Sequence, residues 1–382
     1  MNSQSPLTLC LIVKNESRFL EKCVRSVDSI VSKIVIVDTG STDDTLEIAR
    51  SLTPDVMEVP FKNNFSEARN YALQFVDTPW VLYLDADECF EKKEAEALLQ
   101  VAQSSPSNIS GYRVWRYNFF GNGGWYTSKN LKLFRNDPTI RYEGLVAESV
   151  KNSITRYGGE ILDAPVVLNH FGHCRSADDR DKKAEYYLRL MKEEVKQDPK
   201  NHRILGYIGL IQRTLGKFDE ALEAVEKSVS LGSDSSHSYY CQAQVLRSVG
   251  KDEEALEAYK KSLEMNPEDP LMWNMIGVMQ LSLQLFSEAK ASFDKALEIE
   301  PILDHVRVNL GLLAQAQEDF VTAKDIFEGV ARRNPGFLHE EFFARCERDP
   351  FRDFYYESIL RYAGLGYHLA YAQSKCKSLV EA

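Results

Sequence analysis

The sequence predicts an α/β domain followed by an all-α solenoid, and three observations indicate this order. Short apolar strands alternate with amphipathic helices over roughly the first 175 residues. From about residue 180 onward the pattern is helical, and residue types recur with a period of 34 positions. The chain of 382 residues is long enough for two or more domains, each with its own hydrophobic core.

The first elements of the α/β domain follow from the hydrophobic pattern. A strand over Thr8–Val13 leads into a helix whose apolar face is formed by Phe19, Leu20, Cys23, Val24 and Val27. A second strand over Ile34–Val37 leads to Ser41-Thr-Asp-Asp44, a capping signature that precedes a helix. A third helix begins near Ser66, ahead of the apolar strand that ends at Asp85. This alternation of strand and helix predicts a parallel sheet flanked by helices.

Beyond Asp87 the pattern loosens into further strands and a glycine-rich loop at residues 121–126. The later predicted strands are Tyr112–Phe120, Leu131–Phe134 and Ile161–Leu168. We place the α/β domain at residues 1–178.

The helical part of the chain carries a 34-residue repeat. One position of the repeat is always alanine: Ala221, Ala255, Ala289 and Ala323. A second position is always small: Gly209, Ala243, Gly277 and Gly311. A third position is proline: Pro267, Pro301 and Pro335. Small residues let the two helices of a repeat pack closely and proline ends the second helix, so this period predicts tetratricopeptide repeats.

The predicted repeat domain covers residues 179–337, with repeats near 202–235, 236–269, 270–303 and 304–337. A helix around Ala184–Val195 is expected to form a half-repeat before them. Residues 338–382 are rich in aromatic side chains and are predicted to form a helical cap over the last repeat, because a solenoid needs a capping unit for solubility.

Composition limits the function classes. The formal net charge is −11 and no long Lys/Arg run is present, which argues against a nucleic-acid partner. The seven cysteines form no Cys-x-x-Cys pair, as expected for reduced, mostly buried thiols. The apolar run at residues 7–13 lacks a basic flank and a cleavage site, and no segment reaches the length of a membrane helix. We therefore expect a cytoplasmic protein without a transmembrane segment, and a peripheral membrane role stays open.

Acidic residues follow two of the predicted strands directly. Asp85 and Asp87 come after one apolar strand, and Asp38 comes after another. In an open α/β sheet the ligand binds at the carboxyl ends of the strands, so these residues are expected to share one site. Paired carboxylates suit a hard divalent cation, which proteins usually bind together with substrate phosphates. The pattern therefore predicts a site for a metal-chelated nucleoside diphosphate.

Four segments resemble glycosyltransferase family 2. They are Leu11-Ile-Val-Lys-Asn-Glu16, Ile36-Val-Asp-Thr-Gly-Ser-Thr-Asp43, Phe65-Ser-Glu-Ala-Arg-Asn70 and Leu84-Asp-Ala-Asp-Glu88. The chain is most similar to the bacterial branch in which an inverting catalytic domain of the GT-A fold precedes tetratricopeptide repeats. The resemblance covers essentially the whole chain and is sharp over residues 8–90 and in the repeats.

The resemblance implies roles for several donor-binding residues. Asn15 and Glu16 fall near the uracil or ribose, and Asp38 resembles the residue that hydrogen-bonds the base. Arg69 lies where a cation faces the diphosphate. Asp85 and Asp87 match the Asp-x-Asp motif, with one carboxylate nearer the ribose and one on Mn²⁺ or Mg²⁺, and both are metal-ligand candidates.

The resemblance also implies a general base and a third metal ligand. The run Tyr142-Glu-Gly-Leu-Val-Ala-Glu148 resembles a segment in which the family carries a His-Glu pair, but here Ala147 stands at the histidine position. This departure leaves Glu148 as the candidate base. The run Asn169-His-Phe-Gly172 resembles the segment that closes the GT-A domain, and there His170 is the third metal ligand or a diphosphate contact.

The leading hypothesis is a metal-dependent inverting glycosyltransferase that moves a hexose or N-acetylhexosamine from a UDP-sugar to a protein, peptide or glycan acceptor. A scaffold that binds peptides through its repeats and carries an inactive transferase-like domain is the main alternative. A nucleotidyltransferase ranks last, because the loop after the first strand, Lys14-Asn-Glu-Ser17, lacks glycine. The donor sugar and acceptor stay open, and the aromatic-rich terminal helices are compatible with a homodimer.

Overall fold

The computed structural model describes residues 5–120, 125–144, 148–174, 177–338 and 364–381. The chain divides into two compact units. The first comprises Met1–Asn118 and Thr127–Gly172, and the second comprises Phe119–Tyr126 and His173–Ala382.

Within the described residues, eight strands form one mixed sheet. They are β1 (Leu7–Val13), β2 (Lys33–Asp38), β3 (Val56–Glu58), β4 (Trp80–Tyr83), β5 (Glu88–Phe90), β6 (Ile109–Phe120), β7 (Trp125–Arg135) and β8 (Glu160–His173). Their order across the sheet is β3-β2-β1-β4-β7-β6-β8-β5. Strand β1 pairs in parallel with β2 and β4, and β2 pairs in parallel with β3. The β4–β7 and β5–β8 pairs are antiparallel, so the predicted parallel sheet is correct only for the first half of the strand order.

The central parallel strands are buried on both faces. Leu9 and Leu11 of β1 belong to one hydrophobic cluster, whereas Cys10 packs in the cluster on the opposite face with Val35 and Val37. Successive side chains of a strand point to opposite faces, and helices that cover both faces explain the nearly continuous apolar sequence of these strands. This burial fixes the positions of the strand ends, where the acidic residues lie.

The helices of the first unit are short. They are α1 (Leu20–Arg25), α2 (Thr45–Leu52), α3 (Phe65–Ala72), α4 (Lys92–Ser104) and α5 (Lys151–Arg156), with a 3-10 turn at Leu73–Phe75. The predicted capping box at the start of α2 is wrong in detail. Asp44 makes no side-chain cap, and Asp43 accepts the Thr45 N–H at 3.1 Å instead. Helix α3 is capped by Asn64, whose side chain accepts the Glu67 N–H at 3.1 Å.

The described part of the second unit is largely helical. Its helices are α6 (Ala177–Gln197), α7 (His202–Thr214), α8 (Phe218–Leu231), α9 (Ser236–Ser248), α10 (Asp252–Met265), α11 (Pro270–Ser282), α12 (Phe286–Ile299), α13 (Asp304–Ala316), α14 (Phe320–Arg333) and α15 (Leu365–Glu381). A 3-10 turn at Pro335–Leu338 follows α14.

The small residue of the repeat has a packing role. A Cβ atom placed on Gly277 of α11 would lie 2.6 Å from the ring of Phe293 in α12. That distance is far shorter than an ordinary contact, so any side chain there would separate the two helices. Gly311 stands in the same relation to Phe327 one period later.

Helix α15 packs against the last repeat. The Tyr371 ring meets Phe320 of α14 edge-on, with centroids 5.8 Å apart. Residues 339–363 of the predicted cap lie outside the described residues. Trp125, considered in relation to the loop at residues 121–126, is fully buried with its ring 4.9 Å from Phe337. Among the described helices, none is both long and apolar enough to cross a membrane.

Candidate active site

Three neighbouring parallel strands end at one edge of the sheet, each followed by polar residues. Strand β1 lies between β2 and β4 and is followed by Asn15 and Glu16. Asp38 ends β2, while Asp85 and Asp87 follow β4. Adjacent strands are about 4.8 Å apart, so the ends of β2 and β4 are separated by roughly 10 Å. A ligand the length of a nucleoside diphosphate spans such a distance.

Asp38 is buried with only one of its two carboxylate oxygens satisfied. The side chain is 3% exposed, and Oδ1 accepts the N–H groups of Gly40 at 2.8 Å and Ser41 at 2.9 Å. Gly40 has φ of 99°, a conformation that favours glycine and lets the chain turn back onto the carboxylate. Among the described residues, Oδ2 has no hydrogen-bond partner. A buried acceptor without a partner is costly, and a donor on a ligand would satisfy it.

Asn15 and its neighbour fasten the first two strand-end loops to each other. Asn15 has φ of 56°, and its side-chain oxygen accepts the Thr42 N–H at 2.7 Å. The Asn15 N–H donates to Ser41 Oγ at 3.0 Å, and the Glu16 N–H donates to Thr45 Oγ1 at 2.7 Å. The Asn15 side-chain oxygen is therefore engaged in loop structure, and nucleotide contacts by Asn15 and Glu16 stay predictions.

Arg69 lies between two of the predicted site carboxylates. Its Nη2 is 3.0 Å from Asp85 Oδ1 and its Nε is 2.5 Å from Glu148 Oε1. The guanidinium stacks over the Tyr83 ring at 4.3 Å, and its side chain is only 12% exposed. In this arrangement Arg69 joins the end of β4 to the segment before α5. A diphosphate contact by Arg69 is untested.

Sequence reasoning missed three charged residues beneath Asp85. Lys132 Nζ lies 3.2 Å from Asp85 Oδ2 and 2.6 Å from Glu88 Oε2, and Arg116 Nη1 lies 3.0 Å from Glu88 Oε1. The Glu88 side chain is fully buried and also accepts the Asp85 N–H at 2.9 Å. Burial by itself would raise the pKa of Asp85, but Lys132 and Arg69 hold this pKa well below its ordinary value. Asp85 is therefore ionised throughout the physiological range.

Alternation along β7 was the available signal for Lys132, because it lies between Leu131 and Leu133 in an apolar run. A charged residue at such a position is buried only with a partner. Its partner comes from a different part of the sequence, and one sequence alone does not identify it.

Asp87 pairs with His170 beside a glycine. Asp87 is 5% exposed, and its Oδ1 lies 3.2 Å from His170 Nε2. The pairing follows from strand register, because Glu88 of β5 stands opposite His170 of β8. A Cβ atom placed on Gly172 would lie 2.5 Å from both Asp87 Oδ2 and His170 Nε2. A carboxylate and an imidazole that flank one such position form a donor set that suits Mn²⁺ or Mg²⁺.

The predicted three-ligand set is not assembled. The described residues contain no group of three His, Cys, Asp or Glu side chains that could hold one ion. Asp85 faces Lys132 and Arg69, whereas Asp87 faces His170. Two of the predicted ligands thus come together, and Asp85 does not join them.

Glu148 lies close to this edge. Its side chain is 9% exposed and pairs with Arg69, which also contacts Asp85. The arrangement brings Glu148 within one guanidinium group of the Asp-x-Asp turn. Ala147, at the position of the family histidine, lies outside the described residues.

Comparison with known proteins agrees with this architecture. Residues 8–159 match the model of Glycosyl transferase family 2, and Tetratricopeptide repeat models match residues 202–233, 236–269 and 271–302. The chain is similar to the SPbeta prophage-derived glycosyltransferase SunS of Bacillus subtilis (strain 168), with 28% identity over 241 residues that cover 60% of this chain and 54% of SunS.

The chain is also similar to the lipopolysaccharide core biosynthesis glycosyltransferase LpsC of Rhizobium meliloti (strain 1021). The identity is 31% over 181 residues, which cover 43% of this chain and 65% of LpsC. The chain spans about half the length of the first curated relatives it matches. The solved structure of TTC0263, a thermophilic TPR protein in Thermus thermophilus, covers 43% of this chain and 89% of that chain with 20% identity and a TM-score of 0.38, a score too low to carry an argument.

The class of protein is therefore a glycosyltransferase with an appended helical repeat array. This chain carries a family 2 glycosyltransferase domain followed by tetratricopeptide repeats, as the sequence patterns predicted.

Proposed function

We propose that this chain is a metal-dependent inverting glycosyltransferase that transfers a hexose or N-acetylhexosamine from a UDP-sugar to a protein, peptide or glycan acceptor. The observation that carries the proposal is the pairing of Asp87 with His170 beside Gly172. This pair lies at the same sheet edge as Asp38, which has a buried acceptor to offer a nucleobase.

Asp38 is the candidate for base recognition. Its Oδ1 is already engaged by the turn at Gly40, so Oδ2 is the atom that a ligand would contact. Uracil carries an imide N–H that is a suitable donor, and a hydrogen bond to a buried ionised acceptor is among the stronger ones. This supports a uridine nucleotide as the donor.

Asp87 and His170 are the residues that would hold Mn²⁺ or Mg²⁺, and waters and diphosphate oxygens would complete the coordination. The bound cation supplies Lewis-acid stabilisation of the charge on the leaving diphosphate. Asp85 contributes a fixed negative charge next to this pair, since Lys132 and Arg69 keep it ionised.

Inversion requires a single displacement at the anomeric carbon. The acceptor oxygen forms a bond to that carbon as the bond to the diphosphate oxygen breaks, and UDP leaves with the electron pair. The acceptor proton passes to a carboxylate, for which Glu148 is our candidate. The ion pair with Arg69 holds the Glu148 carboxylate in place and in the form that accepts a proton.

The helical repeats support a role in acceptor selection. Stacked tetratricopeptide repeats form concave surfaces that bind extended or helical peptides, and at least four helix pairs follow one another here within residues 202–333. A protein or peptide acceptor fits this arrangement, and a glycan acceptor is the other outcome to be tested.

The test measures UDP release with a panel of UDP-sugars, with and without Mn²⁺, for the parent and for Asp87→Ala. The parent is expected to release UDP only with the metal, and the variant is expected to lose this activity. Asp137→Ala is the matched control, because Asp137 only braces a surface turn through Thr139. Unchanged activity in Asp87→Ala would refute the mechanism. If calorimetry shows no Mn²⁺-dependent UDP binding by the parent, the scaffold alternative is favoured.

A further inference from the structure

We propose that Asn118 is a positioning residue that fixes the protonated nitrogen of His170 and so directs the Nε2 lone pair to the cation position beside Asp87. The proposal rests on the proposed function, because it assumes that His170 is a metal ligand. Asn118 does not contact the cation position itself, and sequence reasoning did not single it out.

The Asn118 amide is held in one orientation. Asn118 lies on β6 next to β8 and is fully buried, and its Oδ1 is 2.8 Å from His170 Nδ1. Its Nδ2 donates to the Arg116 carbonyl oxygen at 3.3 Å and to Ser128 Oγ at 3.2 Å. A carbonyl oxygen only accepts, so the amide nitrogen must face Arg116 and the amide oxygen must face His170.

The hydroxyl of Ser128 supports the same orientation. It donates to Asn130 Oδ1 at 2.8 Å, which leaves its lone pairs available for the Asn118 amide hydrogen. The chain Asn130–Ser128–Asn118 therefore runs in one donor direction and ends with an acceptor at His170. Two separate acceptors, a backbone carbonyl and a hydroxyl, define the orientation of a single amide.

An acceptor at Nδ1 determines the tautomer of the ring. His170 donates its Nδ1–H to Asn118, so the lone pair of the neutral ring is on Nε2. That nitrogen lies 3.2 Å from Asp87 Oδ1, and two facing acceptors are stabilised by a positive charge beside them. Metal-bound histidines ordinarily donate their second ring N–H to a fixed acceptor, and loss of that acceptor typically weakens metal binding.

Gly172 completes the arrangement. The position of its absent Cβ is 2.5 Å from both Asp87 Oδ2 and His170 Nε2, so a small ion fits where a methyl group does not. Divalent cations bind such ligands at about 2.0 to 2.2 Å, within a few tenths of an ångström of this distance. Asn118 sets the direction of the nitrogen, and Gly172 leaves the space that it faces.

The experiment titrates Mn²⁺ in the presence of UDP by calorimetry, with Mn²⁺ electron paramagnetic resonance as a second readout. Asn118→Leu removes the acceptor at similar volume and is expected to weaken Mn²⁺ binding by about 10-fold to 100-fold. Asn118→Asp keeps an acceptor for Nδ1–H and is expected to retain binding. Asn309→Leu is the matched control, because Asn309 is also fully buried but lies in the helical repeats.

The outcomes separate the two proposals. If the parent binds no Mn²⁺ with UDP, the proposed function fails and this inference fails with it. If the parent binds and Asn118→Leu, with a folded spectrum, binds equally well, only the inference is overturned.

Imidazole nitrogen chemical shifts of the ¹⁵N-histidine-labelled parent decide the question even if the leucine variant does not fold. The neutral His170 ring with its hydrogen on Nδ1 supports the inference, and a hydrogen on Nε2 overturns it.

Discussion

Arg69 and Glu148 form an ion pair of 2.5 Å that joins helix α3 to the segment preceding α5. Because the same guanidinium contacts Asp85, the candidate base is held at a fixed distance from the Asp-x-Asp turn. We expect Glu148→Gln to lower kcat by about 10²-fold to 10⁴-fold, the usual contribution of a positioned base. UDP affinity should be unchanged, since the proposed role is in proton transfer. Steady-state kinetics and UDP calorimetry measure the two effects.

Glu143→Gln is the control for this prediction, because Glu143 is near in sequence but pairs with Arg156 on the surface. Equal losses of kcat in the two variants would argue for a structural role of Glu148 rather than a role as base.

Base recognition by Asp38 predicts the effect of Asp38→Asn. The asparagine oxygen can still accept from Gly40 and Ser41, but its amide would place hydrogens where Oδ2 now offers a lone pair. We expect UDP binding to weaken by about 1 to 3 kcal/mol while the fold is kept. Calorimetry with UDP measures this. Asp43→Asn is the control, and an equal effect there would contradict base binding by Asp38.

The buried Lys132–Glu88 pair predicts a large effect on stability. Lys132→Met would leave the fully buried carboxylate of Glu88 without one of its two cations. Removing one partner of such a pair typically costs about 3 to 5 kcal/mol. Urea unfolding measures this loss.

The matched control is Lys129→Met on the same strand, since its ion pair with Asp163 is partly exposed and is worth about 1 kcal/mol or less. Similar losses in the two variants would show that burial does not govern the energetics here.

Gly172→Ala should abolish Mn²⁺-dependent UDP binding. The added methyl group would lie 2.5 Å from both Asp87 Oδ2 and His170 Nε2, where the cation is proposed to bind. Calorimetry on the variant is the measurement. Gly329→Ala is the control, since its Cβ enters open space near Arg333 in α14 and alanine favours a helix. Full binding by Gly172→Ala would place the cation elsewhere.

The helical repeats should lose stability in acid because of His305. Burial lowers the pKa of this fully buried histidine from its ordinary 6.5 to about 3. Between these values the unfolded chain binds a proton that the folded chain does not, so this stability is complete above pH 6.5 and falls as the pH falls. The slope is about 1.4 kcal/mol per pH unit.

His305→Leu places at this site the residue type found one period earlier, at Leu271. The variant should reduce the pH dependence of urea unfolding between pH 7 and pH 5, as followed by helical circular dichroism. An unchanged slope would assign the acid sensitivity to other groups.

Local patterns predicted much of the fold. The buried parallel strands, the 34-residue repeat and the acidic strand ends are written in consecutive residues or at a fixed period, and the two-part fold class is confirmed. The antiparallel half of the sheet was not predicted, because the β4–β7 pairing joins residues about 50 positions apart in sequence.

The candidate site was predictable only in part for the same reason. Asp38, Asp85 and Asp87 directly follow strands, whereas Lys132 and Asn118 come from strands β7 and β6 and reach the site through tertiary pairing. Their side chains read in sequence as a strand lysine and a strand asparagine. No local pattern distinguishes them from surface residues.

The hydrogen bonds from Asn15 and Glu16 to Ser41, Thr42 and Thr45 have a consequence for how a nucleotide binds. Two loops that brace each other are ordered before the ligand arrives, and little conformational entropy is lost when it docks. This end of the site is thus preorganised, so selection between nucleotides should show mainly in dissociation rates.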